Sequence, residues 1–370
     1  MKYLILMKPF IFSIISCFVS FLLLPGCNHT DNISFISADD NLIQFTGRIN
    51  FSNPSAPEIY WPGSEIEIKF SGERLKVQLK DERGENYFNI IIDEDSLRYI
   101  KLDTALRYYI LAEGLPEGEH TIQLIKRTEW ENGKTWFYGF ELTSAKLLEP
   151  NPRSDRIIEF FGNSITAGYA IEDLTGGDSP DSIYTNNYNT YAAITARYFD
   201  ADYYATVRSG IGIMVSWFPL IMPELYDRLD PSDPDSKWDF SNAIPDIVVV
   251  NLLQNDSWLV NMPDYPSFIQ RFGEKPPDDN QMTTAYASFI SDLRRVYPEA
   301  NIICALGCMD ATKEGSRWPG IVESAVQGLH DDKIFLLNFD YINIPGHPRV
   351  ADNIVMAEKL IDYIENNIDW

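Results

Sequence analysis

Residues 157–170 of this 370-residue chain read I-I-E-F-F-G-N-S-I-T-A-G-Y-A. A short, mostly apolar run ends abruptly in Gly162, Asn163 and Ser164. Such a run reads as a buried parallel strand, and glycine permits the sharp turn at its end. Ser164 would then sit at the carboxyl end of a strand, where open α/β sheets place their ligands. A serine there can either cap a helix or act as a nucleophile, and a nucleophile needs a base beside it. The chain has four histidines from which to draw one, His29, His120, His330 and His347. No spacing of His, Cys, Asp or Glu suggests a metal site, and the chemistry calls for no cofactor.

The elements around Ser164 decide which histidine can reach it. Strands are expected over 156–161, 202–207, 246–253, 301–306 and 333–338. Helices are expected over 190–199, 220–229, 282–296, 321–329 and 351–366. Strands and helices alternating at these lengths predict a parallel sheet with helices on both faces, of flavodoxin-like type with the strand order left open. His330 then lies before the last strand, at the wrong edge of the sheet. His29 and His120 fall outside this region. His347 alone follows a strand end on the side of Ser164.

The same edge supplies groups that could hold a developing oxyanion. They are the backbone N–H of Ser164, the backbone N–H of Gly210 after the second strand, and the side-chain amide of Asn255 after the third. Taken singly, Gly210 is an ordinary turn glycine and Asn255 ordinary turn chemistry. Their arrival at one edge in complementary roles is the stronger signal.

Before the α/β region, residues 41–148 alternate apolar and polar over 65–70, 75–79, 87–92 and 120–126. Turn residues separate these runs, which predicts a β-sandwich or jelly roll. Residues 149–155, punctuated by Pro150 and Pro152, read as a linker to the domain of 156–370. At the N-terminus, Lys2 and Lys8 precede an apolar stretch over 10–24 that suits a secretory leader and is short for a spanning helix of ~20 residues. Leu24-Pro25-Gly26-Cys27 resembles a bacterial lipobox. Residues 1–26 are therefore expected to be a lipoprotein signal peptide, Cys27 the lipidated residue, and 27–40 a polar tether. The expected location is the bacterial cell envelope, at the outer membrane or cell surface, with the lipid as the one membrane attachment. Cys304 and Cys308 read as buried small hydrophobes rather than a disulfide. The net charge of −24 argues against nucleic acid and favours neutral partners.

These residues carry a family resemblance. Gly162-Asn163-Ser164-Ile165-Thr166 resembles the first block of SGNH hydrolases, Gly210 the second, Asn255-Asp256 the third and His347 the last. Trp61 to Gly72 (W-P-G-S-E-I-E-I-K-F-S-G), Gly118 to Thr128, and His347-Pro348-Arg349-Val350-Ala351 resemble family-2 carbohydrate esterases. The resemblance implies a jelly roll joined to a three-layer α/β/α SGNH domain that removes O-acetyl groups from sugars. Two positions depart from the pattern. Asn163 stands where aspartate is usual, and is expected to orient the turn. Ile344 stands three residues before His347, where an acid is usual. A Ser-His dyad is therefore expected, with a backbone carbonyl orienting His347 and Asp340 a lesser candidate. Trp258, Met309 and Asp310 are expected at the sugar site, and Trp61, Trp130 and Trp136 either pack or stack on sugar. Two other readings remain open, a non-catalytic glycan-binding lipoprotein and a lipid or thioester hydrolase on the same fold.

Overall fold

The computed structural model describes residues 32–370. The leader and Cys27 lie outside the described residues. In the first region the alternation of side chains organises the fold. Glu65–Ser71 and Arg74–Asp81 bury every second residue, as period-two strands with one covered face must. The chain changes sheet between them. Ile66, Ile68 and Phe70 therefore meet Leu75, Val77 and Leu79 in one shared core. Two six-stranded antiparallel sheets result, the β-sandwich expected from the pattern.

Several strands are not evident from the sequence pattern. Ile33–Ser37, inside the expected tether, pairs antiparallel with Thr135–Thr143 from Ile33↔Thr143 to Ser37↔Gly139. The described part of 27–40 is thus largely sheet. Its polar flanks obscure the pattern, and its order comes from an open strand edge offered far along the chain. Ser96–Lys101, Arg107–Glu113 and Thr135–Thr143 are also strands. The first two leave Leu97, Tyr99, Tyr108 and Ile110 exposed, which blurs the alternation.

In the second region five parallel strands lie in the order Asp202–Val207, Ile157–Gly162, Ile247–Asn251, Asn301–Leu306, Ile334–Asn338. This is the flavodoxin-like order, with the first strand inside the sheet and the second at its edge. Alternate residues of the strands face opposite layers. Ile158 and Phe160 pack with helices Tyr191–Tyr198 and Val350–Asn367. Phe161, Val248 and Val250 pack with Asp279–Val296 and Trp318–Leu329. Cys304 and Cys308 are free and buried. The helix expected over 220–229 shrinks to Met222–Leu225. Arg48 donates to the carbonyls of Tyr226 and Arg228, so the next turn finds its partners outside the helix.

That contact belongs to a tight junction between the two regions. Arg48, from the β-sandwich, is 2% exposed and pairs with Glu159 of the Ser164-bearing strand at 2.7 Å. Tyr297 donates its hydroxyl to the same carboxylate at 2.5 Å. Buried charges need such partners to offset desolvation. Trp61 is buried in the α/β core and donates its indole N–H to Leu229 O. Trp61 therefore packs, and has no free face for a sugar.

Candidate active site

The turn bearing Ser164 is built by its neighbours. Ile157–Gly162 ends, and one helical turn, Ser164–Ala167, begins. Asn163 is its N-cap, with Oδ1 accepting the N–H of Ile165 at 3.0 Å. An amide serves this purpose as well as a carboxylate. A side chain at Gly162 would lie 2.2 Å from Thr166 Oγ1, so the strand can turn this tightly only with glycine there. Ser164 is consequently held at the first position of the helical turn, 7% exposed, with its own N–H at the free helix end.

His347 arrives from the loop before helix Val350–Asn367. Its Nε2 lies 2.7 Å from Ser164 Oγ. On the other side of the ring, Nδ1 lies 2.7 Å from Asp178 Oδ2. Asp178 accepts from Nδ1–H, which leaves Nε2 with a lone pair aimed at the serine hydroxyl. The backbone N–H of His347 donates to Asp178 Oδ1 at 3.0 Å, so the carboxylate grips both ring and main chain. Arg349 Nη1 lies 3.2 Å from the same oxygen. The hydrogen bond from His347 holds the Asp178 carboxyl far below the usual carboxylate range, with Arg349 contributing and partial burial opposing. Tyr169 presents its ring against the imidazole, with centroids 5.1 Å apart.

This geometry corrects the expected dyad. The ring of His347 is oriented by a carboxylate, and the three groups form a Ser-His-Asp arrangement. Asp340 is exposed and paired with Lys359 at 2.8 Å. The acid sits 169 residues before the histidine, in the loop between the Ser164 turn and helix Tyr191–Tyr198, so no local spacing could reveal it. One feature near the histidine does point to it. Gly346 has φ +81°, and a side chain there would come 2.4 Å from Asp178 Oδ1. A glycine immediately before a proposed base implies that something must approach it closely.

Besides the Ser164 N–H, the groups proposed for the oxyanion come from two linked loops. Ile211 N–H donates to Arg208 O at 3.3 Å, and Gly210 has φ +80°. Ser209 is not among the positive-φ residues. Together these features define a type II turn with Gly210 at its third position. Asn255 belongs to the short helix Gln254–Leu259, whose N-cap, Leu253, is left-handed at φ +70°. A leucine held there stores roughly 1–2 kcal/mol of strain. Asn255 Nδ2 donates to Ile211 O at 2.7 Å, and Oδ1 accepts from Trp217 Nε1 at 3.0 Å. One amide hydrogen is thus committed to the loop, and the second is left over. Asp256, fully buried, accepts the N–H groups of Ile213, Met214 and Val215. It is a brace for that loop.

Trp258, Met309 and Asp310 are the further residues expected at the sugar site. Trp258 and Asp310 do meet, Nε1 to Oδ2 at 2.9 Å, in an exposed depression rimmed by Lys313 and Arg317. Met309 is half-buried and packs on the layer containing Ile165. Trp217, which no sequence pattern singles out, is 37% exposed beside Asn255. Among the described residues no cluster of His, Cys, Asp or Glu could hold a metal ion.

The family described as carbohydrate esterase 2 N-terminal matches residues 45–152. The chain is 33% identical over 343 residues to the cellulase/esterase CelE of Acetivibrio thermocellus, covering 90% of this chain and 40% of CelE. It therefore spans less than half of that relative. It is 24% identical over 359 residues to an acetylxylan esterase/glucomannan deacetylase of Cellvibrio japonicus, covering 94% of this chain and 96% of the relative. A solved structure of a family two carbohydrate esterase from Clostridium thermocellum, in complex with cellohexaose, superposes with a TM-score of 0.78. Sequence identity is 34%, and the match covers 88% of this chain and 98% of that one.

Proposed function

This chain belongs to carbohydrate esterase family 2, and on that premise we propose that it is a serine acetyl esterase removing O-acetyl groups from polysaccharides or oligosaccharides. The observation that carries the reading is the relay from Asp178 through His347 to Ser164, with 2.7 Å at each step. His347 Nε2 takes the hydroxyl proton as Ser164 Oγ attacks the acetyl carbonyl. The N–H groups of Ser164 and Gly210 and the free amide hydrogen of Asn255 receive the oxyanion. His347 then gives its proton to the departing sugar oxygen. Water, activated by the same ring, releases acetate and restores the serine. The exposed face of Trp217 offers a surface on which a sugar ring can stack, and Trp258 with Asp310 an outer contact.

Acyl chain length tests this function against a lipid or thioester hydrolase. Wild-type protein should release acetate from acetylated xylan or glucomannan. It should also prefer aryl acetate to aryl octanoate by at least ~100-fold in kcat/KM, since each buried methylene accepted or rejected is worth about 1 kcal/mol. A preference for the longer chain, or no ester turnover at all, would overturn the reading.

We also propose export and lipid anchoring at Cys27, supported by the leader and the Leu24-Pro25-Gly26-Cys27 sequence. Cells fed a radiolabelled fatty acid should label the wild-type chain and not Cys27→Ala. Equal labelling of the two would rule the anchor out.

A further inference from the structure

The second strand of the parallel sheet, Asp202–Val207, is its edge strand. The turn at its end, 208–211, therefore has no strand from its own domain on its outer side. The β-sandwich reaches that turn through residues 129–131. Glu129 is 5% exposed and holds Ser209 twice, accepting the backbone N–H at 2.6 Å and meeting Oγ at 2.5 Å. Glu131 pairs with Arg208 at 2.6 Å. Arg208 in turn lies 3.2 Å from the Phe218 ring centroid and 4.9 Å from that of Trp130. Arg127 pairs at 2.6 Å with Glu172, in the loop that carries Asp178. Lys126 Nζ is buried and donates to Glu129 O at 3.0 Å, tying the segment to its own strand.

We propose that Glu129, contributed by the β-sandwich, is a positioning residue for the oxyanion turn of the α/β domain. This role presupposes the esterase function proposed for Ser164, and it depends on the geometry of type II turns. In such a turn, residues i+1 and i+2 are Ser209 and Gly210, and the peptide joining them carries the Gly210 N–H. Type I and type II turns differ by a flip of that peptide. The flip decides whether the N–H points toward the reacting carbonyl or away from it. Glycine at φ +80° makes type II accessible, and type I is open to glycine as to most residues. A second constraint has to select between them. Glu129 holds the main-chain N–H and the side chain of Ser209 together, which restrains the residue on one side of the flipping peptide.

The chemistry of the clamp explains why a carboxyl group occupies this position. Burial, followed by repulsion from Glu131, raises the Glu129 carboxyl to about 7, against the opposing pull of Ser209 and Arg208. Ser209 donates its backbone N–H to one oxygen of Glu129 and its hydroxyl to the other. A glutamine amide keeps both contacts without charge, its oxygen accepting the N–H and its NH₂ donating to Oγ, whereas alanine keeps neither.

The test is steady-state hydrolysis of aryl acetate, with thermal unfolding of each variant as the control for folding. Glu129→Ala should lower kcat by about 30–100-fold with KM within about 3-fold, because a mispointed donor is lost in the transition state and not in ground-state binding. Glu129→Gln should recover kcat to within about 5-fold of wild type. Ser209→Ala, a half-buried position, should lose about 3–10-fold in kcat and should add little to Glu129→Ala when combined with it. Wild-type kcat in folded Glu129→Ala, a change in KM alone, or equal losses in the Ala and Gln variants would overturn the proposal. If Glu129→Ala does not fold, Ser209→Ala with wild-type kcat overturns it. Ser164→Ala assayed alongside separates the two readings. Residual wild-type turnover there removes the esterase assignment itself, whereas an inactive Ser164→Ala beside a fully active Glu129→Ala removes the Glu129 role alone.

Discussion

Ser164→Ala should lower kcat by on the order of 10⁴-fold or more on every ester, with the fold intact. The hydroxyl is the acyl acceptor, and no other nucleophile lies within hydrogen-bonding distance of His347 Nε2 among the described residues. The Asn163 cap and the Gly162 approach remain, because neither uses the hydroxyl. Alanine is also the best helix former for the first position of the turn. The change in unfolding free energy should accordingly stay within about 1 kcal/mol. What persists is binding and the oxyanion donors, which in triad hydrolases leave a small residual rate above water. The measurement is acetate release together with the pre-steady-state burst that an acyl-enzyme produces. A burst in Ser164→Ala would move the nucleophile elsewhere.

Asp178→Asn should cost on the order of 10²–10⁴-fold in kcat and little in KM. The carboxylate accepts both Nδ1–H and the backbone N–H of His347. An asparagine can offer its own NH₂ to Nδ1, stabilising the tautomer in which Nε2 carries the proton and cannot take another. Asp340→Asn is the matched control and should retain full activity, since Asp340 is paired with Lys359 on the surface. If the backbone alone oriented His347, Asp178→Asn would behave like that control. A pH series gives a second measure of the same residue. His347, with help from Arg349, holds the Asp178 carboxyl below its unfolded value of about 3.9. Its stabilisation is thus complete above that pH and declines as pH falls further. The unfolding midpoint of Asp178→Asn should show a shallower decline below pH ~4 than wild type.

Both experiments depend on residues that reach the site by different routes, and the routes explain what could be read in advance. Ser164, Gly210, Asn255 and His347 each follow a strand end, and strand ends are marked locally by an apolar run stopping at Gly, Asn or Ser. Parallel topology then forces those ends to one edge. The alternation of strands and helices, and with it helices on both faces, follows from the same short-range patterns, whereas the order of the five strands is set by the tertiary structure. The spans over 202–207 and 301–306 agree with the observed strands to the residue.

Asp178 and Glu129 follow no such rule. Asp178 lies in the polar loop E-D-L-T-G-G-D-S-P-D, where any of four acids (Glu172, Asp173, Asp178 or Asp181) could have been chosen. Asp173 instead fastens the loop through Thr175 and Ser179, and Glu172 binds Arg127. Glu129 sits between two strands of the other domain. Ile33–Ser37 becomes a strand because Thr135–Thr143 presents it an edge. Strand, helix and turn propensities act over a few residues, so the chain itself determined the sheet, its catalytic edge and the serine–histidine pair. Which carboxylate faces a given imidazole or amide depends on packing between segments far apart in sequence. A carboxylate's partners are set by distances of about 3 Å in the folded state, and only the tertiary structure decided them.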